Sequence, residues 1–337
     1  MGADKSVITP AIPLYLNSGV VQQCLTDEEI FDAVSRTLRE SSNPELIRGV
    51  KSGFRVDIDG EHLHMGNVSA CVLSSSVAGT KWFVVSPNNA SRNLERIQAT
   101  ILVSDAVTGR LQGILDGKWL TSQRTAAMAV AAVAACGRHP ISNATVIGAG
   151  AIGRALVKFL VATQPVHRVT VSSLNATSAH HACESATEFV RGGVTLCATS
   201  DVQGAVKDAD VVFTATGVPG DTDVVCAQWL KDSAIVCSVG SHREVDMELI
   251  TQSWIVADDI DGVKMRRGDF REGGVGWNRI VGDIGKLTSG KLRLPDVSKR
   301  IHLVLVGLGS LDVALSARAI VNARNRGVGV PLGSASE

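Results

Sequence analysis

The chain lacks any excess of charge: 33 Lys and Arg stand against 33 Asp and Glu among 337 residues, and no basic block stands out. That balance argues against nucleic acid or an anionic membrane surface as a partner and leaves small molecules. Metal-binding cysteine spacing is missing too. The seven cysteines, at 24, 71, 136, 183, 197, 226 and 237, form no CxxC pair, and their odd number fits reduced thiols in a cytoplasm. Most read as small buried hydrophobes, and no metal is expected. No secretory signal is read at the N-terminus. The longest apolar stretch, Ala126 to Cys136, is too short and too rich in alanine to span a bilayer. Internal repeats and low-complexity segments are absent as well. At ~100–200 residues per domain, the length leads us to expect two domains, each large enough for its own core.

What is present is a glycine turn in the middle of the chain. Asn143-Ala-Thr-Val-Ile-Gly148-Ala-Gly150-Ala151-Ile152-Gly153 reads as a buried strand passing through three glycines into a helix. Gly148 permits the tight exit, Gly150 removes the Cβ that would hold the backbone off a pyrophosphate, and Gly153 lets helix and strand pack closely. The helix N-terminus then offers free N–H groups and partial positive charge to an anion. An ordinary strand–helix turn is the plainer alternative. Apolar residues at helical spacing after Gly153, from Ala155 to Ala162, favour the dinucleotide reading.

Before the turn, Thr26 caps an amphipathic helix. Short β-rich runs follow at Gly53–Ile58, Val68–Ser74, Lys81–Val85, Ala99–Ser104 and Leu111–Leu115. An alanine-rich helix starts at Thr121 and is stopped by the glycine and proline of Cys136–Pro140. After the turn, strands and helices alternate: Arg168–Val171, a helix over Ala179–Val190, Thr195–Ala198, a short helix near Val202–Lys207, Val211–Ala215, Ala234–Ser238 and Trp254–Ala257. The pattern predicts an α/β protein with a Rossmann doubly wound parallel sheet. A late apolar strand from Ile301 enters a helix over Val313–Arg324, which we expect to return to the first part of the chain. The expected division is a Rossmann dinucleotide-binding domain over 126–307 and a discontinuous α+β substrate-binding and dimerisation domain over 1–125 and 308–337.

Cofactor preference is read at the end of the second Rossmann strand, where an acid would grip the ribose 2′-hydroxyl of NAD(H). Val171-Ser172-Ser173-Leu174-Asn175 carries no acid, so NADP(H) is permitted and slightly favoured. No arginine follows to hold a 2′-phosphate, and Ser173 tolerating either cofactor is the competing reading.

A second motif, Leu120-Thr121-Ser-Gln-Arg124-Thr125-Ala-Ala, precedes the turn, and Gly79-Thr80-Lys81 and Gly307-Leu-Gly-Ser-Leu-Asp312 lie far from it on either side. In this order the motifs resemble the ornithine cyclodeaminase/μ-crystallin family across nearly the whole chain. Ser91-Arg92-Asn93-Leu94-Glu95-Arg96 and Tyr15-Leu-Asn17 are similar to its N-(2-amino-2-carboxyethyl)-glutamate dehydrogenase branch, which forms 2,3-diaminopropionate and 2-oxoglutarate. The segment Val239-Gly-Ser-His242-Arg-Glu-Val-Asp246 instead resembles the family's alanine dehydrogenases and ketimine reductases. The resemblance implies a homodimer and hydride transfer at Cα of an amino or imino acid. It also implies candidate cofactor contacts at Thr125, Gly148, Gly150, Ala151, Ile152, Gly153, Ser173, Thr214, Ala215 and Thr216.

The chemistry of these residue types supports that expectation. Removing a hydride from Cα requires an unprotonated nitrogen whose lone pair relieves the electron-poor carbon. Lys81 is the candidate cation or proton acceptor, against an exposed strand lysine. Arg124 presents a fork for a substrate carboxylate, against a structural ion pair. Asp312 would stabilise iminium charge, or cap its helix. Arg48, placed by a looser match, is divided between a carboxylate clamp and a solvated side chain. His242 stands where the resemblance places a cyclodeaminase aspartate, and it either shuttles protons or simply caps a loop. That missing carboxylate counts against ornithine cyclodeaminase, which stays open beside a μ-crystallin-like binding protein without activity. Lys81, Arg124 and Asp312 together favour catalysis.

Overall fold

The computed structural model of the chain describes residues 12–43, 49, 51–137, 141–218, 220–240, 242–294 and 299–333. Arg48 lies outside them. The first part of the chain supplies β1 (Leu14–Leu16), α1 (Ser18–Cys24), α2 (Asp27–Glu40), β2 (Ser52–Ile58), β3 (Glu61–Val72), β4 (Val77–Val85), β5 (Ile97–Asp105), β6 (Leu111–Asp116) and α3 (Lys118–Ala135). The middle supplies β7 (Asn143–Ile147), α4 (Ala151–Thr163), β8 (Arg168–Ser172), α5 (Ala176–Glu184), β9 (Thr195–Thr199), α6 (Val202–Val206), β10 (Val211–Thr214) and β11 (Ile235–Val239). The rest follows as α7 (Met247–Gln252), β12 (Trp254–Ala257), α8 (Ile260–Arg266), β13 (Ile280–Asp283), α9 (Ile284–Thr288), β14 (Ile301–Leu305), α10 (Gly309–Arg326) and β15 (Val330–Pro331).

Two sheets organise these elements. One has seven strands in the order β15-β1-β6-β5-β4-β3-β2, antiparallel except where β1 runs parallel to β6. The other has eight parallel strands in the order β13-β12-β14-β11-β10-β7-β8-β9. Its order reverses between β7 and β10, and in open α/β sheets the crevice at such a reversal, beyond the carboxyl ends of the strands, takes the ligand. Full burial on both faces explains the continuous Val and Ile runs of β7, β10 and β14.

Long helices join the sheets. Most side chains of α3 and α10 are buried, and α10 packs on β3, β4 and β5. Together with β15 pairing to β1, it returns the end of the chain to the first sheet. Among the described residues, no helix is long and apolar enough to cross a membrane.

Several boundaries differ from the sequence reading. The helix expected at Thr121 starts at Lys118, and the one expected at Val313 starts at Gly309; neither Gly117 nor Leu308 makes a side-chain cap. The expected helix over Ala179–Val190 is α5 followed by a 3-10 turn at Thr187–Phe189. β3 begins at Glu61, well ahead of Val68.

Candidate active site

The inner face of β4 carries the first site residue. Along β4, Val77, Lys81 and Phe83 point to the core while Trp82 is exposed, so strand alternation alone aims Lys81 inward. Its Nζ donates to Asp312 Oδ2 at 2.8 Å and to Thr121 Oγ1 at 3.4 Å. Asp312, one turn into α10, takes Arg124 Nε on its other oxygen at 3.1 Å. Lys81, Arg124 and Asp312 therefore meet from three elements far apart in sequence. Their side chains are 5%, 7% and 1% exposed, so the exposed-lysine reading of Lys81 fails. The helix-capping alternative for Asp312 fails as well, because Leu308 is the cap residue and the carboxylate faces the cations.

Two cations share one carboxylate, which leaves the cluster with a formal positive charge. Arg124 Nη1 is buried and has no hydrogen-bond partner among the described residues. It lies against Gly307, where a Cβ would stand 3.2 Å away, so the guanidinium borders the carboxyl end of β14. Burial, followed by the Arg124 charge, pushes Lys81 down to about 8 despite its bond to Asp312. For Asp312 burial pulls upward, but Arg124 and Lys81 outweigh it and hold the carboxyl below its ordinary value.

Facing this cluster is the carboxyl edge of the parallel sheet. Gly148 has φ +107°, and a Cβ there would meet Ala215 O at 2.4 Å. A Cβ on Gly153 would lie 1.8 Å from Gly148 O, whereas one on Gly150 would meet nothing within 4 Å. The three glycines thus hold a tight turn with its middle open, and no side chain caps α4. Buried Ser172 Oγ and Thr214 Oγ1, at the ends of β8 and β10, have no partner among the described residues. Open glycine backbone, an uncapped helix start and unused hydroxyls fit a dinucleotide. Ala151 and Ile152 open α4, Thr125 is buried beside Arg124, and Ser173 is partly exposed past β8, its N–H on Thr199 O at 3.2 Å.

Some residues of the cleft were not singled out from the sequence, although Arg96 and Glu244 fall inside quoted motifs. Glu244 is buried and accepts the Thr216 N–H at 3.0 Å and the Thr216 hydroxyl, fixing the loop after β10. Arg96 reaches across from the first sheet to the Gly217 carbonyl of that loop. Asp258, at the end of β12, accepts the Val306 N–H at 3.0 Å and the Gly307 N–H at 2.6 Å, although burial raises its pKa. Lys51 donates to Val306 O at 3.3 Å. His242 follows β11, partly buried, close enough for its charge to act on His64. Only the sequence motifs pointed to Lys81, Arg124 and Asp312; partnerships such as Glu244–Thr216 follow from tertiary structure alone.

A Rossmann-type dinucleotide-binding protein with a buried Lys–Asp–Arg cluster over the cofactor edge is the class these features define. A family model described as ornithine cyclodeaminase/mu-crystallin matches residues 17–317. The chain belongs to that family. Among its relatives, a Δ1-pyrroline-2-carboxylate reductase of Paracoccus denitrificans is 28% identical over 249 residues, 71% of this chain and 77% of the relative. The N-((2S)-2-amino-2-carboxyethyl)-L-glutamate dehydrogenase of Staphylococcus aureus is 23% identical over 95% of this chain and 98% of its own. In three dimensions, the Thermococcus litoralis Δ1-pyrroline-2-carboxylate reductase, solved with NADH and L-proline, matches with a TM-score of 0.85 at 21% identity. It covers 95% of this chain and 100% of that one.

Proposed function

We propose that this chain is an NAD(P)-dependent oxidoreductase that transfers hydride at Cα of an amino or imino acid, acting on the C–N bond. The observation that carries this reading is the buried Lys81–Asp312–Arg124 cluster, with its surplus positive charge and unpartnered Arg124 Nη1, facing the carboxyl edge of the parallel sheet. The glycine turn Gly148–Gly153 would hold a nicotinamide dinucleotide, which when bound would supply or take up the hydride. Arg124 binds the substrate α-carboxylate through its free fork and thereby orients Cα. Lys81 gives a proton to the substrate nitrogen during reduction and takes it back during oxidation, a role suited to a group near neutrality. Asp312 holds Lys81 in place and stabilises positive charge on the iminium carbon–nitrogen unit. Arg48 is proposed as a second carboxylate ligand on the resemblance alone. His242 is proposed as a substrate contact on the resemblance alone, and without a carboxylate at 242 the deamination and ring closure of a cyclodeaminase are disfavoured.

For the cofactor, the segment after β8 supports a slight preference for NADP(H): Ser173-Leu174-Asn175 offers no acid to repel a 2′-phosphate. A homodimer is supported by the outer face of the seven-stranded sheet. Phe54, Trp82, Leu102 and Tyr15 are exposed there at 55%, 43%, 37% and 39%, and the Phe54 and Trp82 rings lie 6.5 Å apart.

Steady-state assays with NADPH and NADH against cyclic ketimines and pyruvate plus ammonia, and with NADP+ and NAD+ against ornithine and N-carboxyethyl-glutamate, test the proposal. Cofactor oxidation with at least one imine is expected, with NADPH used at least as well as NADH. Imine reduction should slow as pH rises through about 8, because Lys81 loses its proton there. Cofactor binding without turnover of any member would contradict the enzymatic reading, and robust proline formation from ornithine would favour the cyclodeaminase. A strong preference for NADH would overturn the cofactor assignment.

A further inference from the structure

The segment Ser91-Arg92-Asn93-Leu94-Glu95-Arg96 takes no part in the Lys81–Asp312–Arg124 cluster. Its first arginine stays within the first sheet, where Arg92 Nη2 donates to Glu61 Oε1 at 2.6 Å and Asn88 Nδ2 donates to the other oxygen at 2.9 Å. Its last arginine leaves that sheet. Arg96 directly precedes β5, its carbonyl accepts the Ser86 N–H at 2.9 Å, and buried Asn89 closes the intervening loop by donating to Glu95 O at 3.0 Å. From this fixed backbone the side chain crosses to the loop after β10, where Nη1 donates to Gly217 O. Nε is buried and has no partner among the described residues.

Gly217 is shaped to receive the arginine. Its φ is +65°, and a Cβ there would lie 2.7 Å from Arg96 Nη1, so a side chain is excluded both by backbone conformation and by space. The loop it belongs to borders the glycine turn, because Ala215 O is the atom that leaves no room for a Cβ on Gly148. From the other side, buried Glu244 accepts the Thr216 N–H at 3.0 Å and the Thr216 hydroxyl, which in turn accepts the Val218 N–H at 3.3 Å. One side chain from each half of the molecule thus grips this loop. The register of β4 on β5 sets Val85 opposite Ile97 and Lys81 opposite Ile101, so the hairpin that presents Lys81 to Asp312 also presents Arg96 to Gly217. Lys81 lies about 13 Å along the strand from Val85, at ~3.3 Å per residue.

We propose that Arg96 is a positioning residue for the dinucleotide. By holding Gly217 from the first sheet while Glu244 holds Thr216 from the second, it fixes the loop beside the glycine turn and sets the cofactor in register with Lys81. The inference rests on the dinucleotide reading of that turn. A loop anchored on both sides is already ordered before the ligand arrives, so less binding free energy is lost in ordering it. A charged donor on the carbonyl makes the second anchor stronger than a neutral hydrogen bond.

Fluorescence titration with NADPH and NADH, run beside imine-reduction kinetics, tests this. Arg96→Ala should weaken binding of the dinucleotide about tenfold and lower kcat, while KM for the imino acid stays near that of the parent because Arg124 is untouched. Arg96→Lys should restore part of the affinity, since an ammonium still donates to a carbonyl. Arg92→Ala is the control from the same segment and should bind the dinucleotide as the parent does. Unchanged affinity in Arg96→Ala would overturn the assignment, and so would an equal loss in Arg92→Ala, which would place the effect in the whole loop rather than in the Gly217 contact. If Arg96→Ala loses affinity while the parent reduces no imine, the positioning role survives and the proposed activity fails. Imine reduction by the parent with Arg96→Ala unaltered has the opposite meaning, and a parent that binds no dinucleotide overturns both.

Discussion

Asp312 is the residue on which the site turns, because each of its oxygens holds a different cation inside the protein. Replacing it by asparagine leaves Lys81 and Arg124 facing each other without a counter-charge, and breaking such a buried group costs roughly 3–5 kcal/mol. Asp312→Asn should therefore melt well below the parent. Its carboxylate also raises the proton affinity of Lys81, so the pH limb set by Lys81 near 8 should move to lower pH in the variant. An unmoved limb in the pH–rate profile would remove Lys81 as the titrating group. At this scale the sequence was informative where motifs fixed residue identity: Lys81, Arg124 and Asp312 stood out before any geometry was known. Lys51 did not, since a lysine before an exposed strand looks like an ordinary solvated charge. Only the third dimension shows that Lys51 reaches the Val306 carbonyl beside the cluster.

At the level of elements, the β7–turn–α4 unit is set by close backbone approach. Alanine at 153 would put its Cβ 1.8 Å from Gly148 O, so α4 must back away from the strand. Overpacking of this kind costs about 1–3 kcal/mol. Gly153→Ala should lower the melting temperature and weaken dinucleotide binding about tenfold or more, because the helix N-terminus no longer meets the pyrophosphate. Unchanged cofactor affinity by fluorescence titration would show that the turn does not hold the dinucleotide. This unit was legible because Gly148 and Gly153 leave no room for a Cβ. Helix starts were less legible where the cap lacks a side chain, as at Gly117 and Leu308, which give no Ser, Thr, Asp or Asn signal. The first half of β3 escaped notice because Glu61, His62 and His64 interrupt the apolar pattern on a strand that is only partly buried.

Across the whole molecule, the parallel sheet contributes the cofactor edge and the mixed sheet contributes Lys81, while α3 and α10 bring Arg124 and Asp312 between them. The opposite face of the mixed sheet, with Phe54 and Trp82 exposed, is where a second copy would pack. If the proposed homodimer forms through this face, the parent should elute as a dimer in light scattering and a Phe54→Glu, Trp82→Glu double variant as a monomer; an unchanged mass would place any interface elsewhere. The parallel arrangement could be read from alternating apolar runs, but the seven-stranded mixed sheet was only partly visible, because β1 and β15 are very short and pair across nearly the whole sequence. The central claim is that the two halves enclose one hydride transfer at an amino-acid Cα. It is tested most directly by supplying nicotinamide cofactor deuterated at the transferring position together with α-imino acids, and locating the label in the product by mass spectrometry. One deuterium at Cα is the predicted result. A chain that binds the cofactor yet leaves every imino acid unlabelled would contradict the account.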